Sequence, residues 1–239
     1  MRLQLSVRSL QHPQCTFGPP QLRIDLETHV GADLEEALGC VTRRFPFATK
    51  LWLVTAQCHG INWEQLDACL AALPDRSWPA VEEVCGVWVN LPAPTVLHVA
   101  RMCPGLRVAT FGKINDGAEL ATAMEGLAPV AGTLEELNLG VYVDDGIEPG
   151  TVLRDAEALG CLSGLWNLEL FWGCTLAPQC LLAPALPSLS SLSRLCVNGT
   201  ASREGTPSQQ LLPLGLWPGS LREVTLRCDG MLGGRVRPH

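Results

Sequence analysis

Apolar residues return along this chain in a fixed phrase: one, two positions, another, one position, another. The clearest copies are Leu134, Leu137 and Leu139; Leu165, Leu168 and Leu170; Leu192, Leu195 and Val197; and Leu221, Val224 and Leu226. Weaker copies upstream are Ala48, Leu51 and Leu53; Val81, Val84 and Gly86; and Leu106, Ala109 and Phe111. Their first positions fall at 48, 81, 106, 134, 165, 192 and 221, in steps of 33, 25, 28, 31, 27 and 29 residues. Such a period implies one unit stacked repeatedly, because a single unit has nothing to bury its apolar side against. The last three positions of each phrase alternate inward, outward and inward, as a half-buried strand requires.

Between the phrases the spacing turns helical. Residues 33–43 set Leu34, Leu38 and Val41 on one face. Asn62 is placed to cap a helix in which Leu66, Cys69, Leu70 and Leu73 share a face, and Pro74 ends it. The stretches 95–102, 116–127 and 151–159 repeat the pattern. In the second, Asp116 is the cap and Leu120, Met124 and Leu127 point inward; in the third, Leu153 and Ala156 do. Pro178, Pro184 and Pro187, then Pro207, Pro213 and Pro218, forbid a continuous helix from 176 to 192 and from 201 to 218. Extended or briefly helical chain is expected there. Residues 22–26 read as a degenerate repeat strand, and 3–7 as another.

Strand and helix are each apolar on one side, so stacking places strand beside parallel strand and helix beside helix. The predicted fold is α/β: a solenoid with a parallel sheet on one side and helices or irregular segments on the other. The longer helical side bends it into a horseshoe with the sheet concave. Residues 1–20 form a degenerate N-terminal segment or partial repeat, 21–230 a repeat domain of about seven to eight units, and 231–239 a flexible tail. A strand-like apolar start without a polar cap leads us to expect a piece of a longer repeat protein, or association through an end.

These phrases and steps resemble the leucine-rich repeat proteins, most of all the ribonuclease-inhibitor-like subclass and the cysteine-containing repeats attached to F-box proteins. The resemblance spans roughly residues 20 to 230. It departs from the family three positions after the third leucine, where the family has Asn or Cys bonding to the turn. Here those positions hold Ala56, Val89, Ile114, Tyr142, Gly173, Thr200 and Asp229. The resemblance implies a non-catalytic module that binds a partner protein along the concave face. Its alternatives are a substrate-receptor or adaptor fragment in ubiquitin ligation and a structural component of a cytoskeletal or axonemal assembly.

Composition narrows the classes. Of 239 residues, 47% are hydrophobic and 17% charged, enough apolar material for a core. Net charge is −7, Lys50 and Lys113 are the two lysines, and no basic run exists, so the footprint of a nucleic-acid binder is missing. The acidic balance disfavours anionic membrane surfaces, and no apolar run is long enough to span a bilayer. Eleven cysteines without a C-x-x-C pair, and without a secretory signal ahead of them, suit reduced thiols in the cytoplasm. The alternatives are a cytoskeletal or ciliary location and the nucleus. The sequon at Asn198 is then a chance occurrence.

Chemistry is sparse. His12, His29, His59, His98 and His239 show no metal-binding spacing. Cys58 and His59 suggest a remote alternative, a thiol-dependent enzyme, but neighbours on one strand point to different faces. Asp144, Asp145 and Glu148 lack the order of a calcium loop, and Gly230, Gly233 and Gly234 are followed by no helix to bind phosphate. No catalytic, cofactor or metal residue is assigned. The repeat instead forces a set of side chains onto the concave face. From it we take Trp52, Trp88, Glu136, Asn138, Asn167, Glu169, Phe171, Arg194, Asn198 and Arg227 as candidate partner-binding residues, since aromatics and arginine anchor interfaces most often. Trp63 and Trp78 read as helix-side core and Trp217 as packing. Trp166 and Trp172 fall on either face, depending on a one-residue choice of register.

Overall fold

The computed structural model describes residues 21–25, 33–54, 63–86, 93–114, 117–141, 149–173, 179–199, 217–228 and 234–236. Strands and helices alternate through them: β1 (Gln21–Asp25), α1 (Asp33–Arg44), β2 (Lys50–Val54), α2 (Trp63–Ala72), β3 (Glu83–Gly86), α3 (Ala93–Met102) and β4 (Val108–Ile114). There follow α4 (Gly117–Gly126), β5 (Glu136–Val141), α5 (Pro149–Gly160), β6 (Asn167–Trp172), α6 (Gln179–Ala185), β7 (Arg194–Gly199), β8 (Glu223–Cys228) and β9 (Gly234–Val236). One open sheet takes the strands in chain order. The first eight are parallel. Within the segment read as a flexible tail, β9 returns antiparallel along β8. Each helix from α1 to α6 packs on the next, so the helices form a second layer.

The inward rows explain why the layers adhere. Strand pairing sets Leu22, Leu51, Val84, Ala109, Leu137, Leu168, Leu195 and Val224 side by side, and none exceeds 2% exposure. A second row carries Phe111, Leu139, Leu170 and Val197, all buried. Phe111 lies beside Gly86, so a large ring neighbours a position with no side chain and the row keeps its volume. The third row is the first position of each phrase, from Ala48 to Leu221, also buried. Fully burying one such leucine contributes about 1.5–3 kcal/mol before chain entropy is subtracted.

A fourth inward row is invisible in the leucine phrase. Three residues before the first position lie Phe45, Trp78, Cys103, Leu162 and Leu189. Their carbonyls accept from the N–H of Ala48, Val81, Leu106, Leu165 and Leu192 at 3.0–3.2 Å. This tight turn points Trp78, Cys103, Leu162 and Leu189 into the core, each at 1% exposure or less. Adjacent turns also touch through backbone: the Gly164 N–H donates to the Ala131 carbonyl at 3.1 Å.

Main-chain bonds at the strand entrances stitch one repeat to the next. The carbonyl of Thr49 accepts from the N–H of both Glu82 and Glu83, and that of Glu82 from Arg107 and Val108. Arg107, Glu135, Trp166 and Ser193 each do the same for the following repeat, at 2.8–3.1 Å. The ladder is broken in one described place: pairing of β4 with β5 shifts between Phe111 and Ile114, so Gly112 and Lys113 together oppose Gly140.

The helices follow the apolar spacing closely. Leu38 and Val41 of α1, Leu66, Cys69 and Leu70 of α2, Leu120 and Met124 of α4, and Ala156 of α5 are buried. The stretch with Pro178, Pro184 and Pro187 holds a helix of seven residues, α6, and a 3-10 turn at Leu186–Ser188. Trp172 resolves inward at 6% exposure, because it continues the alternation of Leu168 and Leu170. Trp166 is half-buried at the entrance to β6. Residues 3–7 and 201–216, read as a strand and as a broken connection, lie outside the described residues. No helix among the described residues is long and apolar enough to cross a membrane.

Candidate interaction surface

Side chains that alternate away from the core line up in rows on the helix-free face of the sheet. The first row runs Gln21, Lys50, Glu83, Val108, Glu136, Asn167, Arg194 and Glu223. The second runs Arg23, Trp52, Cys85, Thr110, Asn138, Glu169, Cys196 and Thr225. A third row passes through Gly140, Phe171, Asn198 and Arg227. Parallel strands stand about 4.8 Å apart, so neighbouring positions in each row are closely spaced.

The rows are knit by polar contacts between neighbouring strands. Lys50 pairs with Glu83. Arg194 Nε lies 3.4 Å from Glu223 Oε2. The Asn167 amide donates to Glu136 Oε2 at 3.0 Å, and the Asn138 amide to Thr110 Oγ1 at 3.2 Å. The Asn198 amide donates to Glu169 Oε1 at 2.7 Å. At the strand entrances, Arg107 clasps Glu135 through two bonds of 2.9 Å. Exposed pairs of this kind contribute about 0–1 kcal/mol each, so their main effect is to hold the side chains in fixed directions.

The candidate residues are not all brought together. Glu136, Asn138, Asn167, Glu169, Phe171 and Asn198 converge on β5, β6 and β7, with Arg194 at their border. Trp52 is half-buried on β2, four strands from Phe171, or roughly 19 Å at the usual strand spacing. Arg227 holds its place in the third row by backbone pairing with Asn198. Trp88 lies outside the described residues. Phe171 stands 43% exposed; Phe47 and Leu97, the other large apolar side chains exposed among the described residues, belong to a turn and to α3. Arg107 and Glu135 were not among the candidates. Their signal is positional: each stands one residue before the first row.

The other polar groups are mainly fastenings between neighbouring repeats. Buried Thr95 donates to Asp67 Oδ1 at 3.3 Å, and the same oxygen lies 3.5 Å from His98 Nε2, which ties α2 to α3. Arg154 and Glu125 tie α4 to α5. Burial pushes the Cys103 thiol up to about 12 from 9.0, so it stays protonated and unreactive at neutral pH. Among the described residues, Cys40, Cys69, Cys85, Cys103, Cys161 and Cys196 form no disulfide bond with one another. Among the described residues, no three His, Cys, Asp or Glu side chains gather as a metal site. Cys58 with His59, and Asp144 with Asp145 and Glu148, lie outside the described residues. No protein-family model matches this chain, and no curated protein matches it.

Proposed function

We propose that this chain is a leucine-rich-repeat module of the ribonuclease-inhibitor-like kind, curved with its sheet concave, which binds a partner protein along that face without catalysis. The repeat of about 29 residues, the parallel strands in chain order and the aliphatic rows support the architecture. The observation that carries the binding reading is Phe171: a large apolar side chain held 43% exposed on a rigid sheet, ringed by amides and carboxylates bonded into fixed orientations. An exposed aromatic inside a polar rim is the usual composition of an interface anchor. The module works with reduced thiols, in the cytoplasm.

The test is a pull-down with quantitative mass spectrometry, using the intact chain, Phe171→Ala with Asn138→Arg, and the helix-side variant Glu125→Lys. A partner retained by the first and third but lost from the second is expected. Loss confined to Glu125→Lys would place binding on the helix layer and overturn the reading.

A further inference from the structure

The cations on the sheet face are used unevenly. Lys50 is drawn to Glu83 on β3, Arg107 to Glu135, and Arg194 to Glu223 on β8. Among the described residues, Glu136 and Glu169 at the centre receive amides in place of cations: Asn167 donates to one oxygen of Glu136, and Asn198 to one oxygen of Glu169. An amide orients a carboxylate and leaves its charge uncancelled. Among the described residues, no other donor bonds the second oxygen of either carboxylate. Beside them stands the exposed ring of Phe171, two residues from Glu169 on the same strand and the same face.

These three groups sit together on two neighbouring strands. Glu169 and Phe171 are separated by about 7 Å along β6, and Glu136 on β5 lies about 7–8 Å from Glu169 across the pair. A guanidinium group satisfies both ends of this chemistry at once: its flat face stacks on an aromatic ring, and its fork of N–H groups bonds a carboxylate. We infer that the β5–β6 centre of the face takes an arginine-bearing, extended segment of a protein partner, with the guanidinium stacked on Phe171 and bonded to Glu169, and a second cation or backbone N–H on Glu136. This deepens the docking reading and rests on it. Charge complementarity selects the occupant, since a neutral or acidic segment would leave two oriented carboxylates desolvated without a counter-charge.

The experiment selects a displayed library of random linear peptides on the intact chain. Enriched peptides are then measured against the wild type, Glu136→Gln with Glu169→Gln, Phe171→Ala, and Asn138→Trp, whose indole would cover the middle of the patch. The Gln variants keep the acceptors that Asn167 and Asn198 need, and thermal melts confirm that each variant folds. We expect enriched peptides to carry arginine and to bind the double Gln variant at least tenfold more weakly. They should also weaken with added salt and on arginine-to-lysine replacement, and fail on Asn138→Trp. Peptides that fail on Asn138→Trp yet lack arginine, or bind the double Gln variant unchanged, overturn this inference and leave the docking face standing. Should no peptide be sensitive to Asn138→Trp, the docking reading falls, and this one with it.

Discussion

The two faces of the same strands obey different rules. Toward the helices, Leu137, Leu168 and Leu195 repeat one residue type at 2% exposure or less. One position on, toward solvent, Asn138, Glu169 and Cys196 share nothing in size, charge or chemistry. Both rows are built on the same backbone pairing, so the difference lies in what the neighbours demand. The inward row must fill a fixed volume without polar atoms, and few side chains can. The outward row meets water, and almost any residue compatible with a strand is tolerated there. Uniformity therefore marks where the fold is held, and variety marks where the chain is free to carry a specific function.

Four perturbations break or sharpen that contrast. The largest is Leu168→Asp. A charge with no partner cannot be buried cheaply, and the cost is on the order of the whole stability of a domain, about 5–15 kcal/mol. Loss of the cooperative circular-dichroism transition is expected; a native-like melt would show that the row is not core.

Next is pH. The Cys103 thiol is protonated in the folded chain up to about 12 and ionises near 9.0 once unfolded. Because burial raises the folded value, its contribution is intact below pH 9 and is lost as pH climbs toward 12. Stability should fall on the order of 2 kcal/mol between pH 9 and roughly 10.5 from this group. The comparison is the slope of urea-unfolding free energy against pH for wild type and Cys103→Ala, which should lack that increment.

A smaller effect separates two adjacent turns. A Cβ on Gly164 would lie 2.9 Å from the Gly132 carbonyl oxygen, whereas one on Gly132 meets nothing within 4 Å. Gly164→Ala should cost about 1–3 kcal/mol by forcing the turns apart. Gly132→Ala should be neutral or stabilise by about 0.4–1 kcal/mol through the unfolded chain. Equal effects in denaturant titrations would mean that the turns do not touch. The smallest change is expected from Arg194→Ala or Glu169→Ala, which should alter stability by about 0.5 kcal/mol or less. A loss of several kcal/mol in the same titration would move these residues from the outer face to the core.

How much of this was legible depended on whether a residue's role was periodic. Helices α1 to α5 could be read because Leu38 with Val41, Leu66 with Leu70, and Leu120 with Met124 keep helical spacing. The outward rows followed from the same register, which brings Asn138 beside Glu169. Trp172 could not be assigned because its face depends on where β6 stops, and only the continued strand turns it inward. Strand β9 was hidden since Gly234-Arg235-Val236 carries no leucine phrase and pairs in the opposite sense. The bulge at Gly112 and Lys113 had a signal, a glycine inside a strand pattern, which admits several meanings. The pairing of Lys50 with Glu83, and the amides donated to Glu136 and Glu169, emerge once each side chain has a neighbour and a direction.

The doubly accepting carbonyls at the strand entrances carry a consequence for how such a surface could change over time. From Thr49 to Ser193, register between repeats is fastened by main-chain atoms, which substitution leaves in place unless the new residue is proline. Outer side chains can then be exchanged a whole strand at a time without shifting where the strands sit. A repeat fastened in this way preserves its geometry while its message is rewritten, so two chains of one shape could diverge entirely in what they hold.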